Sequence, residues 1–228
     1  MKKIIVLSLG GSLIIPDKIN TGFLENFREV LIKNSRKYKF VVVCGGGQTA
    51  RNYIQGLEQQ KISNKILLQS FLGISSTRLN ARFMTYFFGK DANKGMPHDM
   101  NDVYDYLRKN DIVFCGALRY AEKQTSDATA AKLAHYLNTI FINLTNIKGL
   151  YDKNPKKFRS AKFIPEISHK DFYKMANKIT FHPGQHFVLD QSAAKIIKDY
   201  NIPTYIIGDP QQLNNLLNRK HFIGTVVG

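Results

Sequence analysis

Two glycine-rich turns are the first candidates for chemistry in this sequence. Residues 10–12 read Gly-Gly-Ser after an apolar run over residues 4–7, and residues 45–47 are three glycines after an apolar run over residues 40–43. A strand that ends in glycines and restarts as a helix presents backbone N–H groups to an anion. Two such turns favour a site that holds linked phosphates from two sides. The alternative is a pair of ordinary turns between strands and helices.

Arg51 follows the second glycine turn and falls early in the next predicted helix. A guanidinium group there can reach an anion held on the turn and bind it through two parallel hydrogen bonds. The alternative for Arg51 is a solvated position on the helix surface.

A second polar cluster opens a predicted helix of small residues. Thr125 or Ser126 could cap this helix, or their hydroxyls could face a second phosphate. Asp127 would then orient a hydrogen-bond donor or a metal-bound water. Further along, a loop over residues 145–155 offers Tyr151 for stacking on a base, together with lysines that could hold phosphates.

The elements that position these residues alternate between apolar strands and amphipathic helices. Fully apolar strands between helices predict a mostly parallel sheet that is covered on both faces, with ligands at the carboxyl ends of the strands. We predict strands over residues 4–7, 40–43, 112–114, 140–144, 204–207 and 222–227, and helices over residues 20–37, 48–60, 64–88, 99–109, 126–138 and 189–200.

Composition limits the class of protein. The chain has 228 residues, enough for one large domain or two small ones, and 33 Lys and Arg against 17 Asp and Glu give a net charge of +16. This charge fits an anionic ligand. Basic and aromatic residues are not interleaved, so we expect no specific nucleic-acid partner.

The remaining counts predict a cytoplasmic protein. No apolar run approaches the ~20 residues that cross a membrane, and no cleavable signal follows the amino terminus, so we expect no membrane partner. The chain has 2 cysteines, which we expect to be buried in a reducing compartment, and we predict no protein-held metal site.

Several motifs occur together and in a recognisable order. They are Gly-Gly-Ser at residues 10–12, Gly-Gly-Gly-x-x-Ala-Arg at 45–51, Gly-Ile-x-x-Thr-x-x-Asn-Ala at 73–81, Thr-x-Asp-Ala-x-Ala-Ala at 125–131, Thr-Asn-x-x-Gly-x-Tyr-x-x-x-Pro-Lys-Lys at 145–157, and Asp-x-x-Ala-Ala at 190–194. The ordered set spans essentially the whole chain. It resembles the amino acid kinase superfamily and, within it, the archaeal type of UMP kinase.

The resemblance implies a three-layer αβα sandwich with a mainly parallel central sheet. It implies one domain over residues 1–228, with an acceptor-binding part over about 1–140 and an ATP-binding part over about 141–228. ATP and UMP would lie end to end, with Mg²⁺ as the cofactor, in an enzyme of pyrimidine nucleotide biosynthesis. The resemblance further implies a homohexamer built as a trimer of dimers.

The resemblance also assigns roles by position. The acceptor UMP would contact Gly46, Arg51, Ser70, Thr125 and Ser126. ATP would contact Gly10, Gly11, Ser12, Gly47, Thr145, Asn146, Tyr151 and Asn154. The groups expected to act in catalysis, by neutralising the transferred phosphoryl or ordering donors and Mg²⁺ around it, are Arg51, Asp127 and Asp190.

The sequence departs from the family pattern in four places. Ser8 stands where the family often has a basic residue or Asp, Ser70 where it has an Asp that holds the acceptor ribose, and Asn154 where it has Asp. The segment over residues 116–124 lacks the usual glycines. Two other functions therefore stay open: a kinase of the same fold for another small acceptor, and a nucleotide- or oxyanion-binding storage protein without turnover.

Overall fold

The computed structural model describes residues 2–120, 125–178 and 189–228, and residues 121–124 of the segment over 116–124 lie outside these ranges. The strands are β1 Lys3–Leu9, β2 Tyr38–Cys44, β3 Ile112–Cys115, β4 Phe141–Leu144, β5 Leu150–Tyr151, β6 Phe163–Ile164, β7 Glu166–Ile167, β8 Thr204–Ile207 and β9 Gly224–Val227. The helices are α1 Gly11–Ile14, α2 Thr21–Asn34, α3 Gly47–Glu58, α4 Lys65–Phe88, α5 Met100–Lys109, α6 Ser126–Tyr136, α7 His169–Asn177, α8 Gln191–Asp199 and α9 Pro210–Leu217, with a 3₁₀ turn at Gly89–Asp91.

The described residues form a central sheet of seven strands in the order β3-β2-β1-β4-β8-β9-β7. The first five strands in this order are parallel to their neighbours, β9 is antiparallel to β8, and β7 is parallel to β9. This arrangement confirms the predicted, mainly parallel sheet. A separate hairpin pairs β5 with β6.

Side chains alternate between the two faces of the sheet, and each face has its own apolar core. Val6, Val41 and Val113 pack with residues of α5 to α8 on one face. Ile5 and Val42 pack with residues of α2, α4 and α9 on the other face. The result is the expected three-layer αβα sandwich, in which strands buried on both sides read as continuous apolar runs.

The sequence predicted each long strand and six of the helices, with shifted ends. The helix predicted to reach residue 37 ends at Asn34, and the strand predicted from residue 222 begins at Gly224. Sequence analysis gave no range for the short α1 and missed α7 and α9, although Ser168 and Asp209 cap the amino ends of α7 and α9 through side-chain hydrogen bonds. Among the described residues, no helix combines the length and apolar character needed to span a membrane.

Candidate active site

The candidate site lies at the carboxyl ends of four adjacent parallel strands. Their sheet order is β3-β2-β1-β4, so the segments that follow them form a row: residues 116–120, 45–47, 10–12 and 145–147. From β1, the next strands along the chain, β2 and β3, are added on one side, whereas β4 and β8 are added on the other side. The gap between β1 and β4 is therefore a topological switch point. Such a switch point opens a crevice where α/β proteins bind ligands.

One cavity of about 680 Å³ occupies this crevice. All of the site residues predicted from the sequence line it: Gly10, Gly11, Ser12, Gly46, Gly47, Arg51, Ser70, Thr125, Ser126, Asp127, Thr145, Asn146, Tyr151, Asn154 and Asp190. The fold therefore brings together residues that are up to 180 positions apart in the sequence.

The two glycine turns pack directly against each other. A Cβ atom added to Gly11 would lie 2.0 Å from the backbone nitrogen of Gly47, and one added to Gly47 would lie 2.5 Å from the carbonyl oxygen of Gly11. Gly47 also has a φ of +62°, a left-handed conformation that favours glycine. These two glycines are required by the contact between the turns, a reason that the sequence did not indicate.

A buried asparagine holds the second turn in place. The Asn80 side-chain amide donates a hydrogen bond of 2.7 Å to the carbonyl oxygen of Gly45, and Asn80 is 4% exposed. Asn80 belongs to the motif over residues 73–81, which sequence analysis recognised without assigning Asn80 a role. Its contact fixes the backbone from which the N–H groups of the turn project.

Ser8 and Asp127 form a hydrogen-bonded pair at the floor of the site. The Ser8 hydroxyl, on β1, donates to Oδ1 of Asp127 at 2.6 Å, and Ser8 is 1% exposed. Desolvation of the carboxyl group and the nearby charge of Asp190 raise the pKa of Asp127 from 3.8 to about 7, against the lowering effect of the Ser8 hydrogen bond. Asp127 therefore changes its charge near neutral pH.

Thr125 and Asp190 join α6 to α8. The Thr125 hydroxyl accepts a hydrogen bond from the backbone N–H of Asp127 and donates one to Oδ2 of Asp190. The other carboxylate oxygen of Asp190 accepts from the N–H of Ala193 at 2.7 Å, which caps α8. Thr125 thus caps α6, which was one of the two interpretations of this residue. Asp190 is buried, with 2% of its surface exposed.

Arg51 lies one turn into α3 and lines the cavity. Its Nε and Nη2 atoms donate to Oε1 of Gln48 at 2.9 and 2.7 Å. Partial burial lowers the pKa of the Arg51 guanidinium, but arginine stays charged at any pH a protein tolerates. Gln48 therefore orients a fixed positive charge beside the glycine turn.

The loop after β4 lines the far end of the same cavity. The Tyr151 ring packs against Phe163 with centroids 5.4 Å apart, and Oδ1 of Asn154 accepts from the N–H of Lys156 at 2.9 Å. Lys153, Lys156 and Lys157 line this part of the cavity, as does Lys178, which follows α7. Sequence analysis missed Lys178 because α7 itself was not predicted.

Ser70 lines the opposite end, on α4. Its hydroxyl donates to the carbonyl oxygen of Ile66 at 2.8 Å, one turn back along the helix. Tyr120 and Ile74 line the wall beside it. Neither was a predicted site residue.

Comparison with known proteins agrees with this arrangement. Residues 3–208 match the model of the amino acid kinase family, and the chain belongs to that family. It is 32% identical over 226 residues to a uridylate kinase of Thermococcus kodakarensis and 31% identical over 234 residues to one of Methanococcus aeolicus, covering 98% of each chain in both cases. The crystal structure of uridylate kinase from Archaeoglobus fulgidus matches with a TM-score of 0.84, 30% identity and 100% coverage of both chains.

Proposed function

We propose that this protein transfers the γ-phosphoryl group of ATP to UMP, giving ADP and UDP. The observation that carries the proposal is that one cavity lies across the ends of β3, β2, β1 and β4 and is lined by both glycine turns and by every predicted site residue. The full-length similarity to uridylate kinases supports UMP as the acceptor.

The order of the strands suggests an order of subsites. Neighbouring strands lie about 4.8 Å apart, so the ends of β3 and β4 are separated by roughly 14 Å, and residues that follow both strands line the cavity. We assign the donor to the side of Thr145, Asn146, Tyr151 and Asn154, with its phosphates on Gly10, Gly11, Ser12 and Gly47. We assign the acceptor phosphate to Gly46, Arg51, Thr125 and Ser126, and the acceptor ribose to Ser70.

Phosphoryl transfer between two anions requires alignment and neutralisation of charge rather than a covalent intermediate. Backbone N–H groups of the two turns and the Arg51 guanidinium supply these donors in the proposed site. One or more of the cavity lysines completes the set on the donor side. With an uncharged Ser8 on β1, the enzyme depends more heavily on these cations than relatives with a basic residue there.

We propose Mg²⁺ as the cofactor, carried with the phosphates of ATP. Among residues 2–120, 125–178 and 189–228, no group of three or more His, Cys, Asp or Glu could hold a metal ion. Magnesium is often bound through substrate phosphates and one or two carboxylates, and the cavity offers Asp127 and Asp190. Asp127 and Asp190 would order the donors around the transferred group, and Mg²⁺ bound with ATP would supply positive charge that offsets the charge developing there.

We also propose that the chain acts as one domain and assembles as a homohexamer, a trimer of dimers. The acceptor-binding part over about 1–140 and the ATP-binding part over about 141–228 share the central sheet and the cavity. One face of α4 supports self-association, because exposed apolar side chains recur on it at spacings of three, eight and seven residues, which a helix places on the same side. They are Leu68, Phe71, Leu79 and Tyr86, which are 38, 44, 59 and 73% exposed. A cytoplasmic location and a place in pyrimidine nucleotide biosynthesis follow from the proposed reaction.

Turnover of the purified protein with Mg-ATP and each of UMP, CMP, AMP and GMP tests the function. We expect UMP to be the fastest acceptor. Equal rates with all four nucleotides, or phosphorylation of another nucleotide but not of UMP, would instead favour a kinase of the same fold for another acceptor. Binding of nucleotide without turnover would favour the storage protein. Arg51→Ala, for which we expect kcat/KM to fall by about 10²-fold or more, provides a low-activity comparison in the same assay.

A further inference from the structure

We propose that Tyr120 binds the base of the acceptor nucleotide by stacking and so helps to determine which acceptor this enzyme uses. The proposal rests on the proposed function and refines it. In an end-to-end arrangement the two phosphate groups meet at the centre, and the acceptor base lies furthest from ATP. The strand order places the end of β3 at that side, beyond β2 and Arg51.

The segment after β3 is fastened to α4 by polar contacts. The backbone N–H of Ala117 donates to Oγ1 of Thr77 at 2.9 Å, and Nε of Arg78 donates to the carbonyl oxygen of Ala117 at 3.1 Å. Nη2 of Arg78 donates to the carbonyl oxygen of Leu118. The guanidinium thus engages two successive carbonyl groups, which fixes the backbone that leads into Tyr120.

The Tyr120 side chain has a defined support of its own. Its ring packs against Phe71 of α4 in a T-shaped contact, with centroids 5.3 Å apart and an interplanar angle of 62°. Tyr120 lines the cavity and is 41% exposed, so part of the ring is open to a ligand. An aromatic side chain held at a cavity wall is the group that stacks on a nucleobase.

Among the residues that the structure describes, other groups at this end offer less for base recognition. Arg78 occupies the carbonyl oxygens of Ala117 and Leu118, and the hydroxyl proton of Ser70 is donated to its own helix. Ile54 and Ile74 give the wall an apolar character. A ring contact therefore fits this wall better than a set of hydrogen bonds to the base edge.

Calorimetric binding of UMP and of ribose 5-phosphate, which lacks a base, tests the proposal. We expect the wild type to bind UMP more tightly than ribose 5-phosphate. Tyr120→Leu keeps apolar volume but removes the ring, and should weaken UMP binding by about tenfold, within the range that stacking on one base contributes. Its affinities for ribose 5-phosphate and ATP should stay near wild type, and Tyr120→Phe should fall nearer to wild type than to Tyr120→Leu.

Tyr104→Leu is the matched control, since Tyr104 is 51% exposed on α5 and lies outside the cavity lining. Unchanged UMP affinity in a folded Tyr120→Leu protein would overturn the proposal, as would equal loss for ribose 5-phosphate. If the wild type shows base-dependent binding and turnover with another nucleoside monophosphate instead of UMP, the proposed function fails. The role of Tyr120 is then tested by measuring how that nucleotide and ribose 5-phosphate bind to the wild type and to Tyr120→Leu.

Discussion

The Ser8 hydroxyl donates a hydrogen bond of 2.6 Å to the carboxylate of Asp127, across 119 positions of the sequence. This contact links the first strand of the sheet to the amino end of α6, beside the first glycine turn. It also places a neutral donor against a carboxyl group whose pKa burial raises to about 7. The pKa of Asp127 thus depends in part on Ser8, whose hydrogen bond lowers it.

Ser8→Ala should shift the acid limb of the pH profile of kcat to higher pH by roughly one unit. The hydrogen bond favours the ionised carboxylate, and its loss raises the pKa of Asp127 further. The kcat of Ser8→Ala should therefore be closer to that of wild type at pH 9 than at pH 7. Ser35→Ala, at the end of α2, is the control, and its pH profile of kcat should match that of wild type. If the profile of Ser8→Ala also matched that of wild type, ionised Asp127 would not be needed for activity.

Asp127→Asn should abolish most activity but stabilise the folded protein at alkaline pH. A carboxyl group whose folded pKa is raised binds more protons when folded than when unfolded, so it lowers stability progressively from about pH 4 to about pH 7. The variant should gain about 4 kcal/mol in free energy of unfolding at pH 8 relative to wild type, and much less at pH 4. Urea unfolding of both proteins at pH 4 and at pH 8 measures these free energies. The same difference between variant and wild type at the two pH values would contradict the prediction.

Arg51→Ala should lower kcat/KM by about 10²-fold or more, because two facing phosphate groups lose a fixed positive charge. Arg51→Lys should recover part of the loss, since an ammonium group cannot bind bidentately. Steady-state kinetics with a circular dichroism check of folding measure both variants. Near-parental kcat/KM for a folded Arg51→Ala protein would place the phosphate site elsewhere.

Ser70→Asp should lower the KM for UMP, because a carboxylate accepts charge-assisted hydrogen bonds from ribose hydroxyls. Ser70 lines the cavity, whereas Ser75 lies exposed on the same helix outside the lining. Ser75→Asp therefore controls for the added charge. A KM for UMP that rises or stays constant in Ser70→Asp would mean that the ribose lies away from this position.

Gly47→Ala should lower the free energy of unfolding by about 3 kcal/mol, from the cost of a left-handed conformation and of steric overlap with the first turn. Gly22→Ala is the control, because a Cβ atom there meets nothing within 4 Å. Urea unfolding should place Gly22→Ala within about 1 kcal/mol of wild type. Comparable stability of the two variants would show that the turns can move apart.

The sequence by itself determined the six longer strands, most helices and many of the residues that line the cavity. Apolar runs and helical periodicity are local signals, and parallel strands necessarily bring their carboxyl ends to one edge. Gly46, Arg51, Thr125 and Thr145 each follow such an end or open the helix beyond it. Their gathering around one cavity was therefore predictable without knowing the sheet order.

Tertiary structure alone decided the contacts between distant segments. The fit of Gly11 against Gly47, the pairing of Ser8 with Asp127 and the anchoring of residues 117–118 by Arg78 join positions that no periodicity connects. Each depends on how turns and helices pack over the sheet, where a shift of a few tenths of an ångström changes which atoms meet. Local sequence patterns carry no information on that packing.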